Sequence, residues 1–339
     1  MTGEAQHTGA FDAAVVVTTY NRTDYLPMTL DSVVAQQFNG RIEVVVVDDG
    51  STDDTAGVVA RYTERFADPA GAIVVRYVHQ ENQGLAIARN TGFAATTAPF
   101  IAFVDDDDIC EPTKIAEQVA ALRADHQVGL VHTSFPYIYA AGRFTSDAQR
   151  VDNPCVGWCV DVLLNELLVI SSTVMVRRAT LQRAAAAEAH GLPYDPKWVR
   201  SQDYDMALRM ARLAKFAYIP TPLLRYRFHA GNIAMTRDNI QRAYRYHCNV
   251  QLDFVRRYGR EIGVDDAEAR RRVRNFLHER AESHFWQRKF DITKKMCELA
   301  REFEVYDDAF ASLDSRAARP AWLYRAKDAV DRLLGRGAG

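Results

Sequence analysis

Cysteine is scarce in this chain. Five (Cys110, Cys155, Cys159, Cys248 and Cys297) are spread over 339 residues without a C-x-x-C pair. Neither a disulfide framework nor a cysteine-based zinc centre is expected, and a reducing compartment is. The chain also has no run of about 18 uninterrupted apolar residues, as a membrane-spanning helix would need. Its opening, MTGEAQHTGAFD, has no basic and apolar leader pattern, so a cytoplasmic location is expected. Charge of one sign is not in excess, with 42 Lys and Arg against 44 Asp and Glu. Bulk attraction to nucleic acid is therefore excluded as a guide to partners. There is no GxxxxGK[ST] loop and no GxGxxG after the first apolar run, which removes the two commonest glycine-rich phosphate cradles. No internal repeat or low-complexity stretch occurs.

What is present is an alternation. Short Val- and Ile-rich runs at 13–20, 42–49, 72–80, 99–106 and 128–135 are almost wholly apolar, as strands buried on both faces of a mostly parallel sheet are. Helical segments are expected between them at 24–37, 51–65, 84–96 and 111–124. Ser51 and Thr52 are candidate caps, and Pro112 suits a first helical position. The rhythm predicts an α/β fold, a Rossmann-like central sheet with helices on both faces.

From 141 to 236 the pattern is mixed. A short helix is expected at 161–168, a strand at 172–177, helices at 180–190 and 203–213, and extended chain over 216–228. Beyond Arg237 the sequence reads as helix. Residues 241–339 carry 21 Lys and Arg against 16 Asp and Glu, a net of +5 that leaves −7 for the first 240. A domain over 1–236, with halves at 11–135 and 136–236, and a helical extension over 237–339 are expected.

Three polar clusters end predicted strands: Thr18 to Arg22, Asp48 to Ser51, and Asp105 to Asp108. In an open α/β sheet such ends line one edge, where ligands bind. Four adjacent carboxylates after a buried run need compensation by a cation, a proton or a donor-rich ligand. Carboxylates with few nitrogen or sulfur neighbours suit a hard divalent ion held together with substrate phosphates. Asp108 and Glu111 also read as acids at the start of the helix led by Pro112.

The segments VVVTTYNRTDYLPMTLDSVVAQQF, IEVVVVDDGSTDDT, ENQGLAIARNTGFAA and FIAFVDDDDICEPTKI resemble, in order and spacing, the signatures of family 2 glycosyltransferases with the GT-A fold. The resemblance covers about residues 11–135 and continues loosely to Arg237. It implies an inverting, metal-dependent transfer of a sugar from a nucleotide-diphosphate-sugar to a hydroxyl acceptor, in glycan, polysaccharide or glycolipid biosynthesis. Asp105-Asp106-Asp107 fills the D-x-D signature, with Asp107 a ligand of Mn2+ or Mg2+ and Asp105 or Asp106 a contact to ribose. Thr18, Tyr20, Arg22 and Asp49 match positions that hold the nucleotide base. Arg89 lies in the G-x-x-x-A-R-N segment, where it either approaches the nucleotide or is a helix-surface arginine.

Asp203 resembles the family's catalytic aspartate, although Gln202 stands where glutamate is usual. Asp205 competes as the base, and helix capping is a further role for Asp203. His229 either completes the metal shell or is a histidine with hydrogen bonds only. The implied donor is UDP-, GDP- or dTDP-linked, and the acceptor is a glycan, lipid-linked or protein hydroxyl. Trp158, Tyr194 and Trp198 are candidates for an acceptor platform. The segment 322–336 reads as a basic amphipathic helix suited to a membrane surface at the inner face of the cell, to the main domain or to a second subunit. The rival readings are a non-catalytic sugar-nucleotide-binding protein and a sugar-phosphate nucleotidyltransferase. The latter usually opens on a glycine-rich turn with a lysine, and TTYNRTDYLP has neither.

Overall fold

Runs that are apolar on both faces must be covered from both sides, and β1 (Ala13–Thr19) and β2 (Ile42–Asp48) are buried at every residue. A computed structural model describes residues 11–139, 154–165, 169–229, 237–319 and 324. In it β1 pairs in parallel with β2 and with β4 (Phe100–Asp105), and β2 with β3 (Ile73–His79). Alternate residues of β1 serve opposite faces. Val15 and Val17 join the core formed with α1 (Leu26–Val34), α2 (Thr55–Arg65) and α4 (Lys114–Ala124), while Val16 meets Gly92 of α3 (Leu85–Ala95). A Cβ on Gly92 would lie 2.2 Å from Val16 Cγ1, so that helix approaches the sheet as closely as only glycine permits.

The sheet extends further than the parallel strands. β8 (Met175–Arg177) inserts antiparallel between β4 and β6 (Val128–Thr133), and β9 (Lys215–Ile219) adds in parallel to β6. The seven strands run β3-β2-β1-β4-β8-β6-β9. A second sheet joins β5 (Ile109–Cys110), β10 (Leu224–Phe228) and β7 (Tyr137–Tyr139). Among the described residues the further helices of this part are α5 (Val160–Leu163), α6 (Arg178–Ala186) and α7 (Gln202–Ala211).

Several boundaries differ from expectation. Ser51 and Thr52 are loop residues, and α2 begins at Thr55 after Asp53 takes the Thr55 N–H at 3.1 Å. Pro112 precedes α4 instead of opening it, and the first-turn N–H of Ile115 is satisfied by Gln36 Oε1 at 3.0 Å. The strand expected at 172–177 is a 3-10 turn at Ser171–Thr173 followed by three residues of β8. The extended stretch 216–228 divides between the two sheets. Of the helix expected at 161–168, residues 166–168 lie outside the described residues.

The chain divides into two compact units, Met1–Gly231 and Asn232–Gly339. The second holds α8 (Arg237–Ile262), α9 (Asp266–Trp286), α10 (Phe290–Glu302) and α11 (Asp308–Ala317). Its own core includes Phe276, Phe285, Met296 and Phe310. Asp265 and Asp307 cap α9 and α11 by accepting backbone N–H bonds, as N-terminal aspartates do. The segment 322–336 lies outside the described residues apart from Tyr324. No helix among the described residues is long and apolar enough to cross a membrane.

Candidate active site at the carboxyl edge of the sheet

Register brings the polar strand ends level. Thr18 sits opposite both Val47 and Asp105, and Thr19 opposite Asp48. The loop after β1 turns through Asn21, held at φ 51, a conformation asparagine tolerates better than most residues. Its N–H goes to Ser51 Oγ at 2.9 Å and its Oδ1 takes the Thr52 N–H at 2.8 Å. Tyr20 is left 47% exposed beside this tie.

The two acids after β2 hold the scaffold. Asp48 accepts from Ser51 N at 2.8 Å and Tyr77 OH at 2.6 Å. Asp49 accepts from Gln80 Nε2 at 2.7 Å, Gln83 N at 2.9 Å and Gly84 N at 2.8 Å. The buried carboxylate of Asp49 therefore fixes the loop that leads into α3.

The tetrad divides residue by residue. Asp105 turns one oxygen to Arg89 Nη2 at 2.7 Å and keeps a side chain 31% exposed. Asp106 receives Tyr20 N–H at 3.4 Å and lies 4.0 Å from Arg22 Nε. Burial, and then the neighbouring Asp107, push its carboxyl up to about 7. Asp107 Oδ2 meets His229 Nε2 at 2.9 Å. Burial and Asp105 push its carboxyl above the usual range, and His229 opposes the rise.

Asp108 is fully buried, which corrects its reading as a solvated acid at a helix start. It accepts the Arg227 N–H at 2.9 Å. Burial, Asp107 and Asp105 drive its carboxyl well above the usual range. Glu111 likewise pairs with the Arg225 side chain across the second sheet.

Residues that sequence reasoning missed lock this turn. Thr29 Oγ1, buried on α1, contacts the carbonyls of both Asp106 and Asp108 at 2.9 and 2.8 Å. Arg227 Nε donates to the Asp107 carbonyl at 2.8 Å, and its guanidinium stacks on Tyr25, 5.0 Å from the ring centre. Tyr25 also supports the His229 ring at 4.8 Å. The only sequence signal was the extended chain expected over 216–228, which carried no hint of a partner 120 residues away.

The second acid group enters from α7. Ser201 precedes it at φ 59, a strained setting for serine. Asp203 is half-buried and takes the Tyr204 N–H on Oδ1 at 2.9 Å. Burial pushes its carboxyl above the usual range, with Arg89 the leading opposing charge and Asp105 adding to the rise. Asp205 is fully buried and bonded to Arg209 Nε at 2.8 Å, itself fully buried, so it is not exposed for use as a base.

Arg89 is 2% exposed and not on a helix surface; it lies under Asp105 with its guanidinium 5.5 Å from the Tyr194 ring centre. Tyr194 and Trp198 are buried, and Trp158 is 63% exposed. The three aromatics do not form one exposed platform.

Asp107 and His229 offer one carboxylate and one imidazole, both buried and 2.9 Å apart, a donor set that fits a divalent ion needing further oxygens from elsewhere. Among the described residues no group of three or more His, Cys, Asp or Glu forms a ready-made metal cage. A bound ion here would take its remaining ligands from substrate and water.

Residues 14–176 match the profile of glycosyl transferase family 2. An uncharacterized glycosyltransferase of Nostoc sp. is 29% identical over 237 residues, covering 66% of each chain. The putative glycosyltransferase EpsH of Bacillus subtilis is 30% identical over 229 residues, covering 65% of this chain and 62% of that one. The chain thus spans just under two thirds of the length of these relatives. Among solved structures, S. aureus TarS 1-349 in complex with UDP superposes with a TM-score of 0.58 at 16% identity, over 91% of this chain and 93% of that one. The mannosyltransferase PcManGT from Pyrobaculum calidifontis, in complex with GDP-Man and Mn2+, gives 0.52 at 18% identity, over 97% and 89%. The fold is shared with both.

Proposed function

We propose, from the premise that the chain belongs to glycosyl transferase family 2, that it moves a sugar from a nucleotide-diphosphate-sugar to an acceptor hydroxyl with inversion at the anomeric carbon. The observation that carries this reading is the meeting, on one sheet edge, of Asp105, Asp106 and Asp107 from the end of β4 with His229 from beyond β10. Asp107 and His229 would hold Mn2+ or Mg2+. When bound, the ion neutralises charge developing on the departing diphosphate without a proton. Tyr20, exposed beside Arg22, offers a ring face and a cation to the nucleotide, and Thr18 and Asp49 shape the floor beneath. Asp105 and Asp106 are the contacts for ribose and the donor's sugar. Asp203 takes the acceptor proton as its oxygen attacks. A half-buried carboxylate whose pKa is pushed above the usual range is better matched to that task than an exposed one.

The donor set is UDP-, GDP- or dTDP-linked, supported by the UDP-GlcNAc and GDP-Man complexes of the structural neighbours. The acceptor class is a glycan, lipid-linked or protein hydroxyl, consistent with polysaccharide or glycolipid synthesis. The test is release of nucleotide from these donors by the purified protein with Mn2+ or Mg2+. Asp203→Asn is expected to lose about 10²- to 10⁴-fold in transfer while still binding donor. A protein that binds nucleotide with metal but turns over no donor would be a sugar-nucleotide binder and not an enzyme.

A further inference from the structure

We propose that Tyr25 is a positioning residue for His229 and that, through it, the loop carrying Tyr20 and Arg22 helps set the affinity of the site for its divalent ion. The inference rests on the reading of Asp107 and His229 as ligands of that ion. Tyr25 stands immediately before α1, a place that favours Ser, Thr, Asp or Asn for their capping oxygen. Its side chain caps nothing. Local helix chemistry does not ask for a tyrosine here, so its use lies in what the ring touches.

Arg227 and His229 both reach that ring. The Arg227 guanidinium lies 5.0 Å from its centre, and the His229 imidazole 4.8 Å, tilted by 32°. These are contact distances for cation–π and aromatic pairs. Arg227 lies in β10 and His229 immediately after its end, a spacing of two that extended chain turns to one side. Each is also committed to the acid turn. Arg227 Nε donates to the Asp107 carbonyl at 2.8 Å and its backbone N–H to Asp108 Oδ1 at 2.9 Å. His229 Nε2 faces Asp107 Oδ2 at 2.9 Å. The Tyr25 ring therefore touches the partners of both the backbone and the side chain of Asp107.

The backbone of Tyr25 is tied to the nucleotide loop. Its N–H and that of Leu26 both go to the Arg22 carbonyl, at 3.2 and 3.0 Å, so Arg22 and Tyr25 share one turn. Arg22 Nε lies 4.0 Å from Asp106 Oδ1, and the Tyr20 N–H reaches Asp106 Oδ2 at 3.4 Å. Contacts thus run in a closed ring from Asp106 through Arg22, Tyr25 and His229 to Asp107. Rotating the His229 imidazole away from Asp107 would break its contact with Tyr25. Groups that fix the orientation of a metal-ligating histidine raise the affinity of its site, and losing one typically weakens it roughly 10- to 100-fold.

The test is the Kd of Mn2+, read from the electron paramagnetic resonance of the free ion, with the full chain held at saturating UDP, GDP or dTDP, whichever binds. Tyr25→Phe keeps the ring and should match the wild type. Tyr25→Leu loses it and should bind Mn2+ about tenfold more weakly. Both substitutions are then placed on His229→Ala. If Tyr25 acts through His229, Tyr25→Leu costs nothing further there, whereas a general loss of packing would weaken both backgrounds alike. In parallel, the His229 ring-proton signals of the metal-free protein, identified by their absence in His229→Ala, should move in Tyr25→Leu and stay in place in Tyr25→Phe.

Equal Mn2+ affinity in Tyr25→Leu and the wild type, or an equal loss on His229→Ala, would overturn the inference. If Tyr25→Leu does not fold, Tyr25→Ser, which supplies a helix cap, takes its place with the same expectations. If His229→Ala holds no measurable Mn2+, the wild-type background decides together with the ring signals: weaker binding and moved signals in Tyr25→Leu support the inference, and either without the other refutes it. A wild type that holds no Mn2+ with any of the three nucleotides would sink the metal reading and this inference together, whereas wild-type binding left unchanged in Tyr25→Leu sinks this inference alone.

Discussion

Asp203 and Asp205 sit two residues apart at the start of one helix, and their surroundings give them different work. Asp205 neutralises Arg209 where neither side chain is exposed. Removing Asp205 leaves the buried Arg209 charge with only the longer contact to Glu188 at 3.8 Å, so Asp205→Ala is expected to cost about 3 kcal/mol in urea unfolding. Asp203→Asn leaves no charge stranded in that way, and its stability should stay within about 1 kcal/mol of the wild type. The same scale holds a pH dependence. Asp106 keeps its proton to about 7 in the folded protein against an ordinary value of 3.8, and Asp107 and Asp108 are raised in the same direction. The folded state therefore binds more protons than the unfolded one across that window, and metal-free stability should fall as pH rises through it. A thermal midpoint that rises from pH 5 to pH 7.5 in chelator would contradict this.

At the scale of elements, the acidic turn is held by pieces distant in sequence. Thr29 on α1 bonds two of its carbonyls. Thr29→Val should lose about 1–3 kcal/mol, since a buried bonded hydroxyl is removed and the carbonyls are left short; chemical unfolding at constant m-value measures it. The five strands at 13–20, 42–49, 72–80, 99–106 and 128–135 were legible because both-face burial writes a continuous apolar run. β5 and β7 were not, because two or three residues carry no period, and of the strand expected at 172–177 only Met175–Arg177 is strand. Arg89 looked equally at home on a helix surface since its burial depends on Tyr194, which arrives 105 positions later. Asp108 misled for a similar reason: a backbone N–H on β10, not water, meets its charge. The strand-end clusters could be read as one edge from the sequence, whereas the clasp of Arg227, Tyr25 and His229 could not.

At the scale of the whole molecule, a mostly parallel sheet places its polar strand ends on one edge of the first unit, and a separate helical unit with its own core follows. The central claim is that this edge takes a nucleotide diphosphate together with a divalent ion. A ligand at about 100 times its Kd should stabilise the folded chain by about 2.7 kcal/mol. The most direct measurement is the thermal midpoint of the full chain with UDP, GDP or dTDP, with and without Mn2+. The account predicts a rise with at least one nucleotide that requires Mn2+, is lost in Asp107→Ala and is kept in Asp203→Asn. A full Mn2+-dependent rise in Asp107→Ala, or none with any nucleotide in the wild type, would contradict it.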